Sequence, residues 1–337
     1  MKVVQVSEAF GLDRIELAER PEPEPGPGQV RLAMRAASIN YRDLLMVRGH
    51  YNPRQPLPLV PCSDGVGVID AVGPGVSRFT LGARVSPIFA QAWIDGPPTA
   101  EALGSTLGGP RDGTLVESMV VDEDGLVAAA THLSDTEAAA LPCAAVTAWN
   151  ALMTHGGIRP GDSVLVLGTG GVSVFACQFA TALGARVFAT SSSDEKLERM
   201  KSLGAEEGLN YREVPDWGKQ VRQWTGGGGV DHVVEVGGAG TLEQSLRSVR
   251  AGGTVSLIGV LAGVASDLNI LPILMRQIRV QGIFVGHRAS FEAMNRFIEL
   301  HELRPVIDQV FPVENARGAL EHMGTGAHFG KICLTFD

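Results

Sequence analysis

Residues 163–173, SVLVLGTGGVS, set an apolar run against closely spaced glycines, and the chemistry such a run can do is to grip a pyrophosphate. Gly168 permits a tight turn and Gly170 lets the backbone come close to a phosphate. Beyond them, Gly171 and Val172 open a helix whose free N–H groups point positive charge at the same place. The flanks are those a dinucleotide motif requires: apolar residues 164–167 before the turn, helical spacing through 174–183, and a second apolar run over 186–190. Ser173 replaces the third glycine of GxGxxG, where only close helix-to-strand packing is at stake and a small side chain suffices.

An NAD site wants a carboxylate at the end of its second strand to accept hydrogen bonds from the ribose hydroxyls, and here that place holds Ser191. A carboxylate would repel a 2′-phosphate, whereas Ser191 and Ser192 can donate to it and Lys196 can neutralise it. NADP(H) is therefore the expected cofactor. Asp194 and Glu195 read as the acidic first turn of the next helix, facing solvent. Hydride transfer belongs to the nicotinamide, so the chain itself must supply hydrogen-bond donors for a substrate carbonyl. His50, next to Tyr51, reads as a surface group.

At 337 residues the chain exceeds the size at which one core keeps growing, so two domains are expected to hold these residues. Up to about residue 127 short strands alternate with turns, at 2–6, 29–36, 65–72, 84–87 and 115–121, with PEPEPGPG at 21–28 breaking any helix. That half reads as a β-rich barrel. The Gly- and Pro-rich segment 93–112 is a long surface excursion, either the rim of a pocket or an insertion. Spacing turns helical over 134–155, and from 163 strands alternate with helices, the later strands falling at 186–190, 231–236, 254–258 and 280–285. Such alternation implies a doubly wound α/β domain with a parallel sheet. A helix over 290–300 and a tail ending in KICLTF lead back to the first domain.

Hydrophobic residues make up 45% and charged residues 19%, the balance of a soluble globular protein. A net charge of -9 argues against nucleic acid and against an anionic membrane surface, leaving a small-molecule substrate as the expected partner. No 18-residue apolar run and no basic, apolar leader is present, which predicts a cytoplasmic protein with no membrane span. The four cysteines, Cys62, Cys143, Cys177 and Cys333, lie far apart and predict reduced thiols.

SINYRDLLMVRGHY at 38–51, PCSDGVGVIDAVGPGV at 61–76, VTAWNAL at 146–152, the glycine turn, LNYRE at 209–213, and FGKICL near the C-terminus span the whole chain. Together these motifs resemble the medium-chain dehydrogenase/reductase superfamily, in its zinc-free quinone oxidoreductase-like branch. The resemblance implies a GroES-like β-barrel catalytic domain over 1–144, with 286–337 returning to it, and a Rossmann domain over 145–285, the cofactor lying where they meet. It implies that Lys196 and Tyr211 flank the 2′-phosphate and that Asn40, Tyr41 and Tyr51 line the cleft. Thr147, Gly259, Phe284 and Val285 join the cofactor set, the last two at the end of the last strand. Tyr51 matches a proton donor of enoyl thioester reductases, and an amphipathic pocket wall is the other reading for it. Packing is likewise the other reading for Thr147, Phe284 and Val285. A homodimer through the last Rossmann strand is also implied.

Zinc-dependent members hold their metal with a cysteine, a histidine and a second cysteine at places matched here by Asn40, Ser63 and Cys143. Catalytic zinc takes about three protein ligands; two of the three are absent, so no metal is expected, with Cys62 and Asp64 the only neighbours able to assist. Cys143 reads as a small buried residue. The run of closely spaced cysteines that makes the structural zinc lobe is missing too. Three functions remain open: an NADPH-dependent quinone or enone reductase, a zinc-independent alcohol dehydrogenase or carbonyl reductase, and an inactive NADPH-binding protein.

Overall fold

The computed structural model describes residues 1–265 and 267–336; Asp337, the last residue of the expected return to the first domain, lies outside them. In chain order the strands are β1 (Lys2–Val6), β2 (Ile15–Glu19), β3 (Gln29–Ile39), β4 (Asp64–Val72), β5 (Arg84–Pro87), β6 (Ser118–Asp122), β7 (Leu126–Ala128), β8 (Ser163–Leu167), β9 (Arg186–Ser191), β10 (Ala205–Asn210), β11 (Val230–Glu235), β12 (Val249–Leu257), β13 (Arg279–Gly282), β14 (Ile307–Pro312) and β15 (Lys331–Thr335). Two compact units result, Met1–Val146 with Gly286–Asp337, and Thr147–Val285.

The first unit is built on a seven-stranded sheet ordered β14-β15-β3-β4-β5-β7, with β6 also on β3, beside a β1-β2 pair. β3 is its spine, pairing antiparallel with β4, β6 and β15. Its last four residues, Ala36–Ile39, are buried where the sequence stops alternating, in the stretch where β15 pairs along one edge and β4 along the other. The core joins Val30, Leu32 and Ile39 to Leu320, Ile332 and Leu334 of the returning tail. This is the GroES-like barrel half.

The second unit is a six-stranded parallel sheet ordered β10-β9-β8-β11-β12-β13. Counted from β8 that order is 3-2-1-4-5-6, the doubly wound Rossmann arrangement. SVLVL of β8 is buried at every position, as a central strand covered by helices on both faces must be. Leu165, Phe188, Val233 and Val255 pack there against Trp217, Val221 and Leu246.

Several element bounds differ from the sequence reading. The strand expected over 280–285 ends at Gly282, because Val285 takes φ +44° and leaves the sheet, so Phe284 and Val285 sit in the loop after it. Residues 115–117 hydrogen-bond to β1 through Leu115 O and Glu117 N–H, and the register with β3 runs from Ser118, Glu117 O also accepting from Met34 N–H. β10, AEEGLN, escaped notice because two glutamates and a glycine break any apolar pattern on this edge strand. The 93–112 excursion is no bare surface loop: Trp93, Thr106 and Leu107 are buried, and Trp93 O and Ile94 O accept from Arg288 and Ala289 N–H. No helix among the described residues is long and apolar enough to cross a membrane.

Candidate active site

β8 brings the chain to the point where strand order reverses, with β9 on one side and β11 on the other, and ligands of such sheets bind at the carboxyl ends there. Gly168 follows β8 at φ +70°, its N–H donating to Thr190 O at 2.8 Å, so β9 fixes a turn that only glycine enters without strain. Gly170 is different. It precedes the helix Gly171–Ala182 with extended backbone, and a Cβ there would meet no atom within 4 Å. Nothing in the packing asks for glycine at 170, so the open space suits a closely approaching phosphate. Ser173 Oγ donates to Leu167 O at 2.6 Å, closing the third motif position onto the strand's last carbonyl.

At the end of β9, Ser191 is buried and its Oγ accepts from Ser193 N–H at 3.2 Å. Ser193 caps the helix Asp194–Ser202, accepting from Lys196 N–H, and leaves Ser192 and Lys196 half-buried. Asp194 is turned away onto Asn210 Nδ2 at 3.1 Å, and Tyr211, exposed, is tied to Ser191 by its N–H at 3.0 Å. Gly259 is a close approach: a Cβ would lie 2.3 Å from Val236 O. Thr147 is buried; Phe284 is 37% exposed, while Val285 is buried with its carbonyl accepting from Asn150 Nδ2 at 2.6 Å.

Sequence reasoning missed Glu235 here. It is fully buried and accepts from Gly237 N–H at 2.7 Å, Gly238 N–H at 3.0 Å, Thr241 Oγ1 at 2.6 Å and Ser245 Oγ, folding the loop after β11 around one carboxylate. The available signal was an acid closing an apolar strand directly ahead of paired glycines.

In the first unit, Asn40 ends β3 and precedes the helix Tyr41–Val47, its N–H donating to Asp43 Oδ2 at 2.8 Å. Its Nδ2 reaches Ser63 Oγ at 3.4 Å, Ser63 Oγ donates to Asp64 Oδ1 at 2.8 Å, and Asp64 Oδ2 accepts from Cys143 N–H at 3.2 Å. Lys331, 3% exposed, completes the cluster: Nζ donates to Asn40 Oδ1 at 2.6 Å and Ile39 O at 3.0 Å, and lies 3.6 Å from Asp64 Oδ2. Asn40, Ser63 and Cys143 are thus brought together, as their family positions imply. Tyr41 and Tyr51 are not part of that network and are 40% and 44% exposed. Tyr51 instead carries the Arg42 guanidinium 5.0 Å from its ring centroid, and Arg42 bonds Leu107 O, Gly109 O and Asp43. Burial pushes the Asp43 carboxyl up to about 6, against the pull of Arg42. Burial, then the Asp64 carboxylate, pushes the Cys143 thiol well up.

With this geometry in hand, comparison with known proteins is decisive. Residues 26–131 match the alcohol dehydrogenase GroES-like domain and residues 171–299 the zinc-binding dehydrogenase family. The chain belongs to the medium-chain dehydrogenase/reductase superfamily. It is 43% identical to the zinc-type alcohol dehydrogenase-like protein of Schizosaccharomyces pombe over 100% of this chain and 99% of that one. A solved NAD-dependent alcohol dehydrogenase superposes with a TM-score of 0.91 at 38% identity, covering 99% of each chain. A 2-haloacrylate reductase of a Burkholderia species is 29% identical over 96% of both. This member of the superfamily is an NAD(P)-dependent oxidoreductase.

The superfamily's zinc does not fit this donor set. An amide and a hydroxyl stand where two of the three ligands would, only Cys143 being kept, and a lysine ammonium lies among them. Among the described residues no group of three or more His, Cys, Asp or Glu is arranged to hold a metal ion. The dinucleotide does fit, at the open face of Gly170.

Proposed function

We propose that this protein is an NADPH-dependent reductase of quinones or α,β-unsaturated carbonyl compounds that works without metal. The observation that carries the reading is the Asn40 cluster, where a metal's ligands are replaced by one oriented amide donor beside a buried ammonium. Gly168, Gly170, Gly171 and Val172 would take the pyrophosphate, and Ser192, Lys196 and Tyr211 the 2′-phosphate, with Ser191 shaping their turn. Thr147, Gly259, Phe284 and Val285 would flank the nicotinamide ring. When bound, the cofactor supplies the hydride. Asn40 Nδ2 donates to the substrate carbonyl oxygen and stabilises the negative charge that develops on it. Tyr51 donates the proton that completes reduction, with Tyr41 as a wall beside it.

Turnover of a quinone and enone panel with NADPH tests this, with products analysed for C=C against C=O reduction. Loss of the C=C bond is expected. Reduction of C=O alone supports the second reading, a zinc-independent carbonyl reductase or alcohol dehydrogenase, which the similarity to the NAD-dependent alcohol dehydrogenase favours. NADPH binding without any turnover would leave the inactive binding protein.

The acting form is proposed to be a homodimer. β13 is an edge strand, and near it in sequence Val264, Ile270, Leu274 and Met275 are 68–83% exposed. A Leu274→Glu, Met275→Glu variant should halve the mass seen by light scattering.

A further inference from the structure

Lys331 is a buried charge to which the chemistry above assigns no step. The antiparallel register of β15 on β3 sets Ile332 against Ile39 and so carries Lys331 to the end of β3, where Asn40 stands. A buried ammonium is costly unless it is paired and hydrogen-bonded, and this one is both. Its position decides the Asn40 amide. With Oδ1 toward Nζ the pair is a charge-assisted hydrogen bond; turned over, the amide would set NH2 against NH3⁺. Nδ2 is therefore fixed on the other side, where one hydrogen faces Ser63 Oγ at 3.4 Å and, among the described residues, no protein acceptor takes the second.

We propose that Lys331 is a positioning residue: its ammonium holds the Asn40 amide with Nδ2 toward the substrate carbonyl. The proposal rests on the reductase reading. It makes Lys331 and Asn40 one functional unit, because the lysine acts on substrate only through the amide it orients.

The test is a double-mutant cycle with NADPH and an enone acceptor, measuring kcat and KM for wild type, Lys331→Met, Lys331→Arg, Asn40→Ala and the Lys331→Met, Asn40→Ala pair, with NADPH affinity by fluorescence titration. Loss of an oriented donor lowers kcat by about 10²-fold, and that loss is expected for Lys331→Met and for Asn40→Ala, with NADPH affinity unchanged. The double variant should be no slower than either single one, and Lys331→Arg should recover part of the rate. Lys331→Met at wild-type kcat, or losses that multiply in the double variant, would overturn the proposal. If Lys331→Met does not fold, Asn40→Asp keeps the question open, since it retains an acceptor for Lys331 and removes the donor. Its kcat should fall about as far while its Tm is kept, and a wild-type kcat there overturns the proposal equally. A wild-type protein that binds NADPH yet reduces no acceptor fails the reductase reading itself, a different result, and the role given to Asn40 falls with it.

Discussion

Lys331 Nζ lies 2.6 Å from Asn40 Oδ1 although 291 residues separate the two in the chain. The contact exists because the C-terminal tail returns as β15 and pairs with β3 in a register that leaves the lysine at the strand's end. The ammonium there is balanced by the Asp64 carboxylate, and what speaks against a metal is the amide and hydroxyl that stand at two of its three ligand positions.

Purified protein is accordingly expected to hold only traces of zinc by elemental analysis. Dialysis against a chelator should leave reductase turnover unchanged, and Cys143→Ala should keep activity within about twofold, since one cysteine without its two co-ligands holds no catalytic zinc. Activity lost on chelation and restored by zinc would refute the metal-free mechanism.

Gly170 and Gly259 should separate binding from folding. An added methyl at 170 meets no protein atom within 4 Å, so Gly170→Ala should fold with a Tm close to wild type and bind NADPH at least about tenfold more weakly, as its Cβ takes the phosphate's space. At Gly259 the same methyl would lie 2.3 Å from Val236 O, so Gly259→Ala should lose Tm first. Calorimetry beside a binding titration reads both. Equal NADPH affinity in Gly170→Ala and wild type would remove the phosphate from that turn.

Cofactor choice is tested at Lys196, the cation in the first turn of the helix that Ser193 caps after β9. A hydrogen bond to a charged group contributes about 1.5–3 kcal/mol, so Lys196→Ala should lower kcat/KM for NADPH roughly 10- to 100-fold while sparing NADH. Ser191→Asp should move preference the other way by placing a carboxylate where ribose hydroxyls would be met. Steady-state kinetics with both nucleotides decide it, and a wild-type preference for NADH would count against the assignment.

The parts of this architecture that local pattern encodes were legible in the residues. The turn at Gly168, the strands β1 and β5, and the alternation that builds the parallel sheet all depend on neighbours in sequence. Asn40 and Ser63 could be marked only because residue types at family positions had changed. Lys331 could not be found that way, since a lone lysine opening KICLTF reads as a strand end, and its burial follows from pairing across nearly the whole chain. Glu235 was hidden for a related reason: half of its donors are backbone N–H groups, and the other two, Thr241 and Ser245, meet it only once the loop after β11 has folded. The glycine at 282 and the left-handed Val285 that end β13 early are likewise invisible to an apolar pattern.

Asp43 gives the first unit a pH signature of its own. Burial lifts its carboxyl from 3.8 to about 6, with Asp64 pushing the same way and Arg42, the Asn40 N–H and Lys331 pulling back. Between those values the folded protein keeps a proton that the unfolded chain has released, so this group favours folding most below pH about 4 and that contribution is lost as pH rises toward 6. Above pH 6 both states are ionised and the cost is constant. The change across the window is about 3 kcal/mol at one pKa unit per 1.36 kcal/mol. In Asp43→Asn the side-chain oxygen still accepts from Asn40 N–H and Arg42 keeps Leu107 O and Gly109 O, so the fold should survive without the titration. Carboxylates held low elsewhere, such as Asp308, act with the opposite sign but are common to both proteins and cancel in the difference. Urea midpoints of wild type and variant, measured every half unit from pH 4 to 7, should therefore diverge steadily in favour of Asp43→Asn until about pH 6 and run parallel above it. Curves parallel throughout would show that Asp43 is ionised in the folded protein at pH 4, balanced by Arg42 after all.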